Sequence, residues 1–392
     1  MKVLILSSFA FSLVNFRGKL IETMLRLGHE VVACAPDDDP EVRAWLEGRG
    51  ARYRKIDMGR AGTNPLADAA LWWRYGQAIR AEKPDVVLAY TQKPIIYGGL
   101  AARMFGNARF YALVTGLGYV FSPAADERRL LRKVVSALYR VGIKRARAVF
   151  VFNSEDAGVM EAHRIVRPGT QVTQVAGSGV DLAHFRAEPL PAGPMVFLMI
   201  ARLMRDKGVI EYAEAARRLK AEFPEARFCL LGRLDDKNPT GIGEGELSSW
   251  VEEGAIEYFA ETRDVRPLLA SSSVFVLPSY YREGLPRTLL EAMATGRALI
   301  TTDLPGCRET VRPGRNGLLV PPQNVFALTE AMRKFLANPA LAARMGEQSR
   351  CFAAERFDVE LVNRELLNAM DLAAPSRAAI SGAHDAALSV AL

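Results

Sequence analysis

Cysteine is scarce in this chain: four residues in 392 (Cys34, Cys229, Cys307 and Cys351), with no C-x-x-C pair. That spacing excludes a disulfide framework and a thiolate zinc site, and reads as reduced, mostly buried thiols of a cytosolic protein. Histidine is equally sparse, at four dispersed residues, which leaves no imidazole cluster for a metal. No apolar run approaches the ~20 residues that a bilayer-spanning helix needs. The opening MKVLILSSFAFSLVNF is apolar enough for a signal peptide but lacks a small-residue cleavage site, and it continues into a helix-then-strand pattern. It reads as a first strand of a cytoplasmic protein. The loop after it has no glycine before Gly18.

What is present is a globular composition, 49% hydrophobic and 24% charged, in a chain long enough for two domains. The formal charge of +7 is concentrated. Residues 126–147 (DERRLLRKVVSALYRVGIKRAR) hold eight Lys/Arg against two Asp/Glu, a surplus of six.

Short apolar runs alternate with helical patterns throughout, as expected for parallel sheets covered by helices. In the first half the strands fall at 2–8, 30–36, 52–58, 85–91, 109–116 and 148–153, with a last strand and exit within 171–185. Helices are expected near 16–28, 39–49, 66–82, 95–105 and 126–146. RAEPLPAGPM (186–195), with three prolines in ten residues, reads as a linker. The pattern restarts at 195–203, 227–232, 256–260, 274–278, 298–302 and 317–321. The expected organisation is an N-terminal domain over 1–185, a C-terminal domain over 195–355, a helix over 356–372 that crosses back to the first domain, and a mobile tail over 373–392. Ligands of such sheets sit at the carboxyl ends of the strands.

Two stretches of the second half carry candidate chemistry. In ARLMRDKG, Arg202 closes a strand while Lys207 and Gly208 open a helix, so two cations stand beside free backbone amides that favour a diphosphate. In PSYYREGLPRTLLEAMATG, Glu283 precedes a helix whose first position suits Pro286, and Gly296 stops it. Glu291 lies about 7.5 Å further along the axis, too deep to cap the first turn. A carboxylate accepts two adjacent hydroxyls, so Glu283 and Glu291 suit the diols of a sugar and a ribose. The plainer account of Glu291 is a helix-face acid paired with a neighbouring arginine. The aspartates of DDDP (37–40) and of the pair at 235–236 are too few for a calcium or magnesium site.

These stretches, with ETRDVRPLLASSSVFVLPSYYREG and DLPGCRETVRPGRNGLLVPP, resemble the second-half motifs of glycosyltransferase family 4, retaining nucleotide-sugar enzymes of GT-B fold. The resemblance covers about residues 1–370. It implies an α/β chain of two Rossmann-like parallel-sheet domains facing across a cleft, with Arg202 and Lys207 on the donor diphosphate, Glu283 on the donor sugar and Glu291 on the ribose. Gly208, Gly284, Leu285 and Arg263 complete the implied donor set. No cofactor and no metal are implied, and no side-chain base: the leaving phosphate takes the acceptor's proton.

The glycine-free first loop, with Ser12, Asn15 and Arg17 in an S-x4-S-x3-F-R run, and the ALVTGLG stretch around Thr115 and Gly116 are similar to a branch that acts on polyprenyl-diphosphate-linked sugars. That branch implies a UDP-sugar donor, an N-acetylhexosamine as the sugar moved, and a lipid-linked acceptor. Alternatives on the same architecture are a transferase with a soluble acceptor, a nucleotide-sugar epimerase and a silent binder.

The basic segment reads as a helix. Arg129, Lys133, Arg140, Lys144 and Arg147 fall within a wedge of about 60°, with Leu131, Val134, Val135, Leu138 and Val141 opposite. With the apolar side on the sheet, the basic side would dock reversibly on an anionic membrane, at about 1 kcal/mol per charge, with Tyr119 and Phe121 beside it. The segment carries none of the nucleic-acid-binding signatures, which argues against that partner.

Overall fold

The protein is represented by a computed structural model that describes residues 1–59, 64–121, 129–235 and 238–373. The proposed tail from 374 onward lies outside the described residues. The chain divides into two compact units, Met1–Ser178 together with the chain from Glu360 onward, and Gly179–Val359. The proline-rich segment 186–195 therefore belongs to the second unit.

Unit 1 is a seven-stranded parallel sheet in the order β3-β2-β1-β4-β5-β6-β7. Its strands are β1 (Lys2–Leu6), β2 (Glu30–Ala35), β3 (Arg52–Lys55), β4 (Val86–Tyr90), β5 (Arg109–Val114), β6 (Ala146–Val151) and β7 (Val172–Gln174). Unit 2 is a six-stranded parallel sheet in the order β10-β9-β8-β11-β12-β13. These strands are β8 (Val196–Ile200), β9 (Arg227–Leu231), β10 (Glu257–Phe259), β11 (Val274–Leu277), β12 (Ala298–Thr302) and β13 (Gly317–Val320). β4 (VVLAY) and β8 (VFLMI) are buried along their whole length, because helices cover both faces of a parallel sheet. Every strand overlaps a run that the sequence marks, and β6 begins two residues before its run, at Ala146.

The helices of unit 1 are α1 (Phe11–Asn15), α2 (Gly18–Arg26), α3 (Pro40–Glu47), α4 (Pro65–Glu82), α5 (Gly99–Phe105), α6 (Arg129–Gly142) and α7 (Ser154–Ala162). Those of unit 2 are α8 (Val209–Glu222), α9 (Glu244–Glu252), α10 (Arg266–Ala270), α11 (Arg287–Ala294), α12 (Val325–Ala337) and α13 (Ala340–Phe352), followed by α14 (Val359–Ala369). One core joins Leu71, Tyr75 and Ile79 of α4, Ala101 of α5, Val135 and Tyr139 of α6 and Met160 of α7 to β1, β2 and β4–β6. These four helices thus share one face of the first sheet.

The last helix is tied to unit 1. Arg109 donates to Asp371 at 2.9 Å, and the buried His29 ring meets the Leu372 carbonyl at 2.9 Å. The aspartates of 37–39 are consumed locally: Asp37 accepts from the Ala10 amide, Asp38 pairs with Arg43, and Asp39 caps α3 ahead of Pro40. Cys34, Cys229 and Cys307 are buried, whereas Cys351 is exposed.

Candidate functional site

In unit 2 the strand order reverses between β8 and β11, and the loops leaving the carboxyl ends of these two strands form the candidate site. The first runs from Ala201 to Gly208, the second from Pro278 to Pro286. They are strapped together by backbone, since the Asp206 carbonyl accepts from the amides of Tyr280 (2.9 Å) and Tyr281 (2.8 Å). Gly208 closes the first loop at φ 78°, and a Cβ there would meet the Pro278 carbonyl oxygen at 2.2 Å. Only glycine fits both the left-handed backbone and that approach.

The strap brings Lys207 onto Glu283. Lys207 Nζ donates to Glu283 Oε1, and each side chain is only 13% exposed. Ser279 Oγ donates to the same Oε1 at 3.0 Å, and the ammonium stands 4.6 Å from the centre of the Tyr281 ring. Arg202, 46% exposed, leans toward Asp235, with Nη1 to Oδ2 at 3.5 Å; Asp236 lies outside the described residues. Burial holds the Asp206 carboxyl above its ordinary range against the pull of Lys207 and the Thr240 hydroxyl. Gly284 is buried and Leu285 half-buried, and the Glu283–Gly284 backbone rests against Gly306, where a Cβ would meet the Gly284 oxygen at 2.6 Å. Arg263 is exposed on the loop between β10 and α10.

Pro286 is extended (ψ 117°) and precedes α11, so the helix begins one residue later than the sequence suggests. Gly296 ends it at φ 83°, as expected. Glu291 sits in the second turn with its side chain 9% exposed, accepting from Arg287 Nε at 2.7 Å. The arginine pairing of the plainer reading is therefore present. Solvated helix-face pairs, however, are not buried, and here burial raises the carboxyl's pKa, an effect that Arg287 opposes.

The unit 1 residues gather at the carboxyl edge of its sheet. Ser12 is buried in α1, where its hydroxyl meets Ser7 Oγ (2.7 Å), Tyr90 OH (2.9 Å) and the Phe9 carbonyl (2.7 Å). Arg17 is 2% exposed, its guanidinium 5.2 Å from the Tyr90 ring centre and 6.0 Å from that of Phe152. Asn15, Thr115 and Gly116 are half-buried, and Gly116 has φ 123°. Ser12 thus fixes the loop from within.

α6 corrects two expectations. Its buried side is Val135, Ser136, Tyr139 and Gly142, about a quarter turn from the face that hydropathy selects. The cause is steric. Gly142 lies against the Ile95 and Ile96 backbone, where a Cβ would come within 2.7 Å, and the whole Tyr139 ring is buried. Ser136 enters the core because its hydroxyl donates to the Arg132 carbonyl at 2.7 Å. Leu130, Val134 and Val141 consequently face outward, 76%, 49% and 41% exposed. Arg129, Lys133, Lys144 and Arg147 are exposed too, but Arg140 is half-buried and donates to the carbonyls of His163 and Arg164 after α7. Phe121 is buried edge-on to His163 and is no surface aromatic; the Tyr119 side chain lies outside what the structure describes.

Sequence reasoning missed Asp206, Ser279 and Tyr281. Their roles depend on two loops meeting; the only signal was the tyrosine pair immediately before Arg282 and Glu283.

With this geometry in hand, comparison with known proteins is decisive on family. Residues 181–352 match the model of glycosyl transferases group 1, and residues 16–176 that of a glycosyl transferase 4-like domain. The chain is 27% identical over 385 residues to the N,N'-diacetylbacillosaminyl-diphospho-undecaprenol alpha-1,3-N-acetylgalactosaminyltransferase of Campylobacter jejuni, covering 95% of this chain and 98% of that protein. It is 30% identical to a protein of Salmonella typhimurium named as the colanic acid biosynthesis glycosyltransferase WcaL, over 92% of this chain and 97% of that one. Among solved structures, Anabaena Alr3699/HepE in complex with UDP and glucose superposes with a TM-score of 0.77 at 18% identity, covering 95% of this chain and 99% of that one. Two parallel-sheet units, a switch-point site of paired cation and acid, and these relatives together make the chain a family 4 glycosyltransferase of GT-B fold.

Proposed function

We propose that the protein moves a sugar, an N-acetylhexosamine by analogy with its Campylobacter relative, from a UDP-sugar to a saccharide carried on undecaprenyl diphosphate. The observation that carries this reading is the Lys207–Glu283 pair at the β8/β11 switch point. A cation and a carboxylate held side by side in a nearly dry loop pair can divide between the two ends of one donor, the ammonium taking the diphosphate and the carboxylate taking sugar hydroxyls. Arg202, more exposed, supplies the second cation. The names of two relatives support the acceptor class: both the Campylobacter enzyme and an Escherichia coli alpha-1,3-galactosyltransferase are described with diphosphoundecaprenol-linked substrates.

In the reaction, the bond between the sugar's C1 and the β-phosphate oxygen breaks and a bond from C1 to the acceptor oxygen forms. The acceptor's proton passes to the departing phosphate, and UDP leaves. Attack from the face of the leaving group retains anomeric configuration. Lys207 and Arg202 stabilise the charge that grows on the phosphate, a type of contribution worth about 3 kcal/mol per preorganised donor. Glu291, at the base of the same loop, receives the ribose hydroxyls. No metal or cofactor is part of the scheme.

The protein would meet its acceptor at an anionic membrane, with Arg129, Lys133, Lys144 and Arg147 facing lipid phosphates and Leu130, Val134 and Val141 entering the interface. Among the described residues no helix is long and apolar enough to cross a membrane, so attachment would be peripheral. The test is transfer from a panel of UDP-sugars to undecaprenyl-diphosphate-linked and to soluble saccharides. Product only on the lipid-linked acceptor supports the proposal; product only on the soluble one rejects its acceptor, and UDP release without any product rejects transfer.

A further inference from the structure

Unit 1 carries a second charged concavity that sugar transfer does not use. A groove of about 500 Å3 opens where α5 ends and β5 and β6 begin, and its wall includes Arg103, Asn107, Arg109, Arg145 and Arg147 but no acidic side chain. Arg103 stands in the last turn of α5, Arg109 opens β5, and Arg145 and Arg147 flank the first residue of β6. These are the amino ends of the strands. The loops bearing Thr115 and Arg17 lie at the carboxyl ends, roughly 20 Å away along the six residues of β5.

The groove is built by close helix packing. A Cβ on Gly99 would meet the Gly142 carbonyl oxygen at 2.2 Å, so α5 and α6 touch backbone to backbone there. Arg103 Nη1 donates to the Val141 carbonyl at 3.3 Å across that contact, and Arg109 is held by Asp371. Arg145 and Arg147 are exposed, and neither has an acidic partner among the described residues. Two guanidinium groups are thus fixed in place and two are free to close on an anion.

The rim is apolar. Met104, beside Arg103, is 56% exposed, and Val141 is 41% exposed. Trp73 of α4, 47% exposed, stands edge-on to Phe105 with ring centres 5.7 Å apart. All three belong to the helical layer that shares one core on this face of the sheet. A free phosphate or a nucleic acid backbone gains nothing from such a rim. A phospholipid does: its phosphate suits the forked donors of arginine, its chains suit methionine and valine, and tryptophan favours the headgroup boundary.

We propose that this groove is a headgroup site for an anionic phospholipid, which holds the α4–α6 layer of unit 1 against the bilayer. It deepens the membrane-facing part of the proposed function and does not depend on which acceptor is used. The experiment is flotation of the full chain with phosphatidylcholine vesicles alone and with added phosphatidylglycerol. Wild type is compared with the double variant Arg103→Gln/Arg145→Gln, and the unfolding temperature of each is recorded to confirm an intact fold.

The double variant should bind phosphatidylglycerol vesicles about thirtyfold more weakly, as expected for the loss of two charges at a membrane surface. Phosphatidylglycerol with brominated chains should quench tryptophan emission in wild type, and Trp73→Phe should abolish that quenching. Equal flotation of the double variant and wild type would overturn the site. So would quenching that survives in Trp73→Phe, or a melting shift with inorganic phosphate that the double variant loses while its vesicle binding stays intact. Equal flotation of the double variant and wild type, with transfer to the lipid-linked acceptor retained, removes this inference alone; transfer only to a soluble acceptor, with flotation weakened in the double variant, removes the acceptor proposal and leaves the groove.

Discussion

Lys207 and Glu283 are 76 residues apart in sequence, yet in the folded second unit they form an ion pair with 13% of each side chain exposed. In the proposed scheme a donor diphosphate takes Lys207, the cation that Glu283 holds here, so donor entry would exchange one anion for another. Lys207→Ala should lower kcat by about a hundredfold or more, the range found when one preorganised donor is removed. Glu283→Gln should act in the opposite sense on product: transfer slows, while UDP binds a few-fold more tightly because its competitor for Lys207 has gone. Calorimetric titration with UDP and initial rates measure the two effects separately. Weaker UDP binding in Glu283→Gln would refute the exchange.

Gly208 is the hinge of that arrangement. An alanine there would hold a left-handed backbone, at about 1–2 kcal/mol, and would also press on the Pro278 carbonyl at 2.2 Å. Gly208→Ala is therefore expected to destabilise unit 2 by at least about 2 kcal/mol and to part the two loops. Urea denaturation should show the first effect. The second should appear as weakened UDP binding at temperatures where the variant is still folded.

Glu291 gives a pH-dependent test. Burial raises its folded pKa above the ordinary 4.5, so the folded state binds the proton more tightly than the unfolded one. Its contribution to stability is fully present below 4.5 and is lost as pH rises through the folded value. Glu291→Gln keeps the shape without the charge. Its melting temperature relative to wild type should rise between pH 4 and pH 7, while its affinity for UDP should fall if Glu291 holds the ribose as proposed. A melting difference that is flat across this range would show that Arg287 neutralises the acid completely.

The strands were legible because each is a run of apolar residues bounded by turn formers, and a parallel sheet buried on both faces needs little else. Arg202, Lys207, Glu283 and Glu291 were legible as a spacing pattern. What holds them was not. Asp206 and Ser279 act through contacts made only once β8 and β11 lie side by side, and no local pattern encodes that. The orientation of α6 escaped for another reason. Periodicity counts hydropathy, whereas its seating is decided by the missing side chain of Gly142 and by a serine that satisfies itself within the helix. The short α1 lies where the sequence indicates only a loop, since five residues are too few to show a period.

The rotation of α6 decides which side chains would meet lipid. Had α6 buried all its apolar residues, only charge would face outward and membrane affinity would vanish with added salt. Instead Leu130 and Val134 stand exposed one turn apart, beside Arg129 and Lys133. Leu130→Ser/Val134→Ser should therefore leave thermal stability unchanged, because both side chains already face water. It should weaken binding to phosphatidylglycerol vesicles about tenfold, in line with the transfer energy of one large apolar side chain. Arg129→Gln/Lys133→Gln should weaken binding at low salt and converge on wild type at high salt, where the apolar contribution is all that remains. If the serine variant melted lower and floated unchanged, Leu130 and Val134 would be inward-facing and the apolar part of the docking face would not exist.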